Sequence, residues 1–199
     1  MKLKRKAADG FLYGLMIFAS VSVVGSLLGI VIYILVQSGG MLRPSIVFGR
    51  GENSFLPMIV ATSWTVVVSL AIALPIGIMT AIYLNEYARK TRLSSTLALA
   101  IDTLAGIPSI VYGLFGLLLF ARIFNFGQSI IAGGFTLSIM ILPVIIRTTE
   151  ESLKTVPITY REASLALGAT KFQTIRHAVL PPALPGIITA AILATGRVV

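Results

Sequence analysis

Long uninterrupted apolar runs constrain this chain more than any other feature of its sequence. Four of them, at about 11–36, 57–84, 95–121 and 129–146, hold almost no charge, and a shorter run extends from about 184 to 199. A helix needs about 20 apolar residues to cross the roughly 30 Å of hydrocarbon in a bilayer. We therefore expect an all-α fold, a polytopic bundle of membrane-spanning helices. A basic head precedes the first run and is also typical of secretory signals, but their apolar cores are about 7–15 residues long.

Composition supports the membrane interpretation and excludes several other classes. The chain is 56% hydrophobic and 12% charged, whereas soluble domains average about 25% charged residues. The absence of cysteine rules out a disulfide framework and a thiol nucleophile. The single histidine, His177, has no second ligand at a suitable spacing, so we expect no metal site. With no glycine–lysine nucleotide loop and no paired catalytic carboxylates, we expect no cofactor and no enzymatic activity.

Segments rich in lysine and arginine alternate along the chain with segments that hold few of them, and this alternation predicts the orientation of the chain in the membrane. Twelve basic residues lie in the head and in alternate loops, against three in the intervening loops. The twelve are Lys2, Lys4, Arg5, Lys6, Arg89, Lys90, Arg92, Arg147, Lys154, Arg161, Lys171 and Arg176, and the three are Arg43, Arg50 and Arg122. Basic residues accumulate on the cytoplasmic side, so we expect a cytoplasmic N-terminus. This distribution, rather than one basic face, argues against a nucleic-acid partner.

The segment 150–183 is too polar to cross the membrane and carries signals for two helices. Thr159 with Glu162, and Thr170 with Gln173, have the spacing of capping boxes. Gly168 between them is a helix-terminating signal. We therefore predict one helix over 160–167, a glycine turn and a second helix over 171–179, ended by Pro181 and the next proline. The alternative is an amphipathic helix lying on the membrane surface.

The same segment resembles the EAA loop of ABC importer permeases. The matching residues are Glu162, Ala163, Ser164, Gly168, Ile175, Leu180 and Pro181. The family pattern has a second alanine where this chain has Ser164, a change between small residues. The resemblance implies that the loop forms coupling helices that dock into an ATP-binding subunit, with Glu162, Ala163 and Gly168 at or near that joint.

Further stretches narrow the resemblance to the permeases of phosphate importers, more to the PstA type than to the PstC type. They are the third-span signature at 105–116, the runs 74–77 and 82–87, the run 142–151 and the block 160–184. The resemblance implies the fold of type I ABC importer permeases, with about five of six expected hydrophobic segments present. It implies a single permease domain over 1–199 that is C-terminally truncated. Its implied setting is the inner membrane, with a PstC-like second permease, a PstB-like ATP-binding subunit, a phosphate-binding protein and phosphate as partners.

Two places are candidates for the path of the anion. In phosphate permeases an arginine at the position of Arg197 is implicated in the substrate path; the alternative is a snorkelling side chain. The second place is Gly106 to Ser109, where a break in the helix would expose a half-helix N-terminus capped by Ser109. The alternative there is an ordinary proline kink. We expect Asp102 to cap its helix or pair with an arginine, and Arg147 to anchor its helix at the interface.

Three other functions stay open on the sequence alone. A permease for molybdate, tungstate or sulfate would share most of these features. A secondary transporter would need inverted repeats and coupling-ion ligands, and no convincing internal repeat is present. A membrane scaffold without transport is the third.

Overall fold

The computed structural model describes residues 2–38, 54–88 and 92–199, with the side chains of 2–11 and 93 left out. Arg43, Arg50, Arg89 and Lys90, which entered the orientation argument, lie outside the described residues. The chain forms two compact units, Met1–Met58 and Ile59–Val199. The first contains the long helix α1 (Lys2–Ser38) and the start of α2.

The described residues of the second unit form helices joined by short turns and loops. The helices are α2 (Phe55–Ile82) with a π-helical turn (Tyr83–Tyr87), α3 (Arg92–Ala105), α4 (Ser109–Gly116) with a π-helical turn (Leu117–Ile123), α5 (Ile130–Thr155), α6 (Ile158–Ala166), α7 (Lys171–Thr174) with a π-helical turn (Ile175–Val179), and α8 (Leu180–Val198).

Within the described residues, four helical stretches are long and apolar enough to cross a membrane. They are Leu12–Ser38, Phe55–Tyr87, Ile130–Thr155 and Lys171–Val198. The helices α3 and α4 meet at an angle of 97° and pass the same test as a pair, which gives five if that pair is one span. The expected all-α, polytopic helical fold is confirmed. Which residues lie within the bilayer stays a prediction.

Helix α5 is central to the second unit, where it packs against α8, α4 and α3. Its fully buried residues Ile141, Ile145 and Leu153 contribute to two apolar clusters shared with α2, α4 and α8. Glycines allow these helices to approach closely: a Cβ on Gly77 would lie 2.6 Å from Ile145 Cγ2, and one on Gly186 would overlap the Ser152 side chain. Small residues at such contacts are how membrane helices gain packing without a hydrophobic driving force.

The prolines do not end the helix at the place predicted. Pro181 and Pro182 were expected to terminate the second helix of the 150–183 segment, but the helical stretch runs on from Lys171 to Val198. The two prolines occupy the first turn of α8, directly after the π-helical turn Ile175–Val179. A first turn tolerates proline because a backbone N–H at that position has no acceptor within its own helix.

Candidate functional site: the loop between α5 and α8

Helix α6 begins two residues earlier than the capping signal indicated. It starts at Ile158, and the residue before it, Pro157, provides no side-chain cap. The Tyr160 N–H donates to the Pro157 carbonyl at 3.2 Å, so the first turn has already formed at that point. Thr159 therefore lies inside the helix, and the predicted capping box with Glu162 is wrong.

The second capping box is confirmed. Thr170 caps α7: the Gln173 N–H donates to Thr170 Oγ1 at 3.3 Å, and the Thr170 N–H donates to Gln173 Oε1 at 2.8 Å. This reciprocal pair satisfies two backbone donors that a helix start leaves free. It fixes the point at which the chain turns back towards α8.

Gly168 forms the turn between α6 and α7. Its φ is +82°, a conformation that side chains with a Cβ rarely adopt. The Gly168 N–H donates to the Leu165 carbonyl at 2.9 Å, and the Ala169 N–H donates to the Ser164 carbonyl at 3.2 Å. This pair of bonds is the Schellman arrangement that closes a helix with a left-handed residue. The predicted glycine turn is therefore present, with α6 ending at Ala166.

The residues of the EAA resemblance divide between the surface and the core. Glu162 and Ala163 are exposed, whereas Ile175 is buried and Leu180 is half-buried against the apolar cluster. Ser164 Oγ lies 3.0 Å from Thr174 Oγ1, which ties α6 to α7.

The outward surface of the loop is unusually apolar for a segment outside the predicted spans. On and just beyond α6 its exposed large side chains are Ile158, Tyr160, Leu165 and Leu167, the last 89% exposed, and Phe172 on α7 is exposed as well. In the sequence the first four lie on both sides of Glu162 and Ala163, on and just beyond α6. An exposed apolar patch of this kind is typical of a protein–protein contact.

Sequence reasoning missed an ion pair that anchors this loop. Arg161 Nη2 lies 2.7 Å from Glu86 Oε1, although the two residues are far apart in sequence. Both residues were within stretches that carried the family resemblance, but nothing local in either stretch signals the partner.

The helix break is present between α3 and α4, but Ser109 does not cap it. Pro108 precedes α4 without a side-chain cap, and Ser109 is the first residue of the helix. The Tyr112 hydroxyl donates to the Leu104 carbonyl at 2.7 Å, a bond that spans the break. Tyr112 is 5% exposed, so the two half-helices are held at a fixed angle by a buried contact that the sequence did not reveal.

The helix break and the end of α8 pack against one apolar cluster. Ile107 and Tyr112, at the break, belong to the same apolar cluster as Ala194 and Val198 of α8. Arg197 lies between these last two and is exposed. Among the described residues no carboxylate lies within ion-pair distance of Arg197.

A separate charged network joins α3 to α5. Arg147 Nη2 lies 2.6 Å from Asp102 Oδ1, and Arg147 Nη1 lies 2.9 Å from Glu150 Oε2. Arg147 also donates to the Ala98 carbonyl at 3.0 Å, and Lys154 pairs with Glu150 at 2.7 Å. Asp102 thus has the expected arginine partner. Arg147 also bridges two helices, and its role as an interfacial anchor stays a prediction. Two cations and two carboxylates balance, so the network offers an anion no net positive charge.

The chain matches the family model described as "Binding-protein-dependent transport system inner membrane component" over residues 73–199. That match covers more than half of the chain, and the chain belongs to this family of ABC transporter permeases.

Among the residues described, no group of three or more His, Cys, Asp or Glu side chains is arranged to hold a metal ion.

Curated relatives of the chain agree with the family. It is 32% identical to the "Probable ABC transporter permease protein YqgI" of Bacillus subtilis, over 98% of this chain and 68% of that protein. It is 36% identical to the "Phosphate transport system permease protein PstA homolog" of Mycoplasma pneumoniae, over 92% of this chain and 29% of that protein. It is 44% identical to "Phosphate transport system permease protein PstA 1" of Mycobacterium tuberculosis, over 66% of this chain and 43% of that protein.

The chain therefore spans less than half the length of these last two relatives. A solved structure described as an amino acid ABC transporter is also similar, at 20% identity and a TM-score of 0.45, over 73% of this chain and 75% of that one.

Proposed function

We propose that the chain is a permease subunit of an ATP-driven importer of inorganic phosphate. The observation that carries the substrate is the 44% identity over 132 residues to a permease named for phosphate transport. The family accounts for the coarser part, a membrane component that works with an ATPase and a substrate-binding protein. We assign phosphate rather than molybdate, tungstate or sulfate because the relatives at 36% and 44% identity both have phosphate in their names.

In this proposal the chain forms half of the translocation pathway and hydrolyses nothing itself. A PstC-like permease supplies the other half, a binding protein delivers phosphate, and a PstB-like subunit binds and hydrolyses ATP. The exposed apolar residues of α6, with Glu162 and Ala163, form the contact with the ATP-binding subunit. The helices would have two packing arrangements of similar free energy, and the ATP-binding subunit would shift the protein from one arrangement to the other.

Orientation in the inner membrane follows from the basic residues and has a direct test. The proposal places the N-terminus and the α6–α7 loop in the cytoplasm. Since the chain has no cysteine, single cysteines at Lys171 and Gln128 report one loop each, and both native side chains are exposed. We expect a membrane-impermeant thiol reagent to label Gln128→Cys in cells with an intact inner membrane, and Lys171→Cys after the membrane is opened. The reverse pattern would contradict the orientation.

Gly168→Val tests the docking role of the loop. At a φ of +82° a β-branched side chain strains the backbone by about 1–3 kcal/mol. A new Cβ would meet no neighbouring atom within 4 Å, so the effect is confined to the backbone. We expect membrane insertion to be normal and co-purification of the ATP-binding subunit from detergent to fall several-fold.

Gly127→Val is the matched control for this substitution. Gly127 also has a positive φ, +62°, and open space around it, but it lies between α4 and α5. Its substitution should leave co-purification unchanged. Equal retention of the ATP-binding subunit by both variants would contradict the docking role. A secondary transporter or a scaffold would retain no such subunit even with the native sequence.

A further inference from the structure

The Arg161 guanidinium uses all three of its nitrogens to hold α6 in place. Nε and Nη2 both donate to Glu86 Oε1, at 3.1 and 2.7 Å, and Nε also donates to Oε2 at 3.4 Å. Nη1 donates to the Val156 carbonyl at 2.8 Å, and Nη2 also donates to the Leu153 carbonyl at 2.9 Å. Arg161 thus joins α6 to the end of α5 and to the π-helical turn that follows α2.

Glu86 also has a second hydrogen-bond partner besides Arg161. It lies in the π-helical turn Tyr83–Tyr87, and Asn85 Nδ2 donates to the same Oε1 atom at 2.8 Å. The exposed fractions of the two side chains are 19% for Arg161 and 9% for Glu86, the lowest combination among the ion pairs of the described residues. Removing one member of a buried pair leaves an uncompensated charge, so such a pair resists separation.

The bonds to Leu153 and Val156 add a second reason for rigidity. The last carbonyls of a helix have no partner within the helix, and basic side chains commonly satisfy them. At the end of α5 this role falls to Arg161. Two contacts without charge connect the neighbouring helices: Ser164 pairs with Thr174 between α6 and α7, and Ser152 Oγ of α5 donates to the Ala183 carbonyl of α8 at 2.8 Å.

We propose that Arg161 and Glu86 are positioning residues, a clamp that makes α6 move as one body with the ends of α2 and α5 throughout the transport cycle. This rests on the proposed function, since it is the ATP-binding subunit that would displace α6. The ATP-binding subunit pushes on the exposed surface of α6, and the clamp transmits this movement to α2 and α5 in the bundle. Without the clamp α6 could shift while the spans stay in place, and ATP would be hydrolysed without transport.

Glu86→Gln tests the clamp because it keeps the size of the side chain and removes its charge. The assay is proteoliposomes of the assembled transporter, supplied with binding protein, ATP and radiolabelled inorganic phosphate. We expect phosphate transported per ATP hydrolysed to fall at least about fivefold, the lower end of typical coupling between sites. ATP hydrolysis and the amount of co-purified ATP-binding subunit should change little. Glu151→Gln, which neutralises an exposed carboxylate at the same end of the bundle, should leave the ratio unchanged.

A covalent link in place of the ion pair tests whether residues 86 and 161 stay together during transport or must move apart. In the double variant Glu86→Cys and Arg161→Cys, a reducible bis-thiosulfonate linker can bridge the two positions, and each single-cysteine variant controls for modification alone. We expect the linked protein to recover transport per ATP, and reduction to lower it again. Loss of transport on linking would overturn the proposal, because it would show that the pair must open.

The outcomes also distinguish this proposal from the function on which it rests. Native transporter that moves no phosphate in the same vesicles would overturn the proposed function and the clamp with it. Native transporter that moves phosphate, alongside a Glu86→Gln variant with an unchanged ratio, would overturn the clamp alone.

Discussion

Arg197→Gln is expected to lower phosphate uptake by the assembled transporter about tenfold or more. Hydrogen bonds to charged groups contribute about 1.5–3 kcal/mol, and about 1.4 kcal/mol corresponds to a tenfold change. Arg197 is exposed and lies beside the cluster formed by the helix break and the end of α8. Because no carboxylate of the described residues neutralises it, its charge is available to an anion. Uptake of radiolabelled phosphate into vesicles measures the effect.

Assembly should survive this substitution, since a neutral polar side chain is no harder to place in a membrane than a charged one. Hydrolysis of ATP stimulated by the binding protein should also continue, because the α6 surface is unchanged. Arg122→Gln, the same chemical change at another exposed arginine, is the control and should transport normally. Near-native uptake by Arg197→Gln would show that the arginine packs or anchors its helix. The break at Gly106 to Ser109 would then be the better candidate for the anion path.

Local signals in the sequence were sufficient for much of this fold. The long apolar runs indicated the helices because a membrane requires about 20 apolar residues in succession. Thr170 with Gln173 and the Gly168 turn were also predicted, since each depends on residues within one helical turn of each other. The Thr159 signal failed because Pro157 had already set the start of the helix.

Features that depend on distant parts of the chain were not predictable from one sequence. The Arg161–Glu86 pair joins positions 75 residues apart, and the Tyr112 bond to Leu104 depends on the angle of the break. The helix continues past Pro181 directly after a π-helical turn, a feature that no local signal in the sequence indicated. In each case the residue type was visible, but the partner was set by the packing of α2, α4, α5 and α8.

The most direct test of the central claim is uptake by purified transporter in sealed vesicles. The preparation contains this chain, a second permease subunit, the ATP-binding subunit and the phosphate-binding protein, with radiolabelled phosphate on the side of the binding protein. We expect phosphate to accumulate when ATP is supplied to the opposite side, and a non-hydrolysable analogue to support no accumulation. Excess molybdate, tungstate or sulfate should compete weakly. Accumulation of one of those anions in place of phosphate, or phosphate uptake that is indifferent to ATP, would contradict the account.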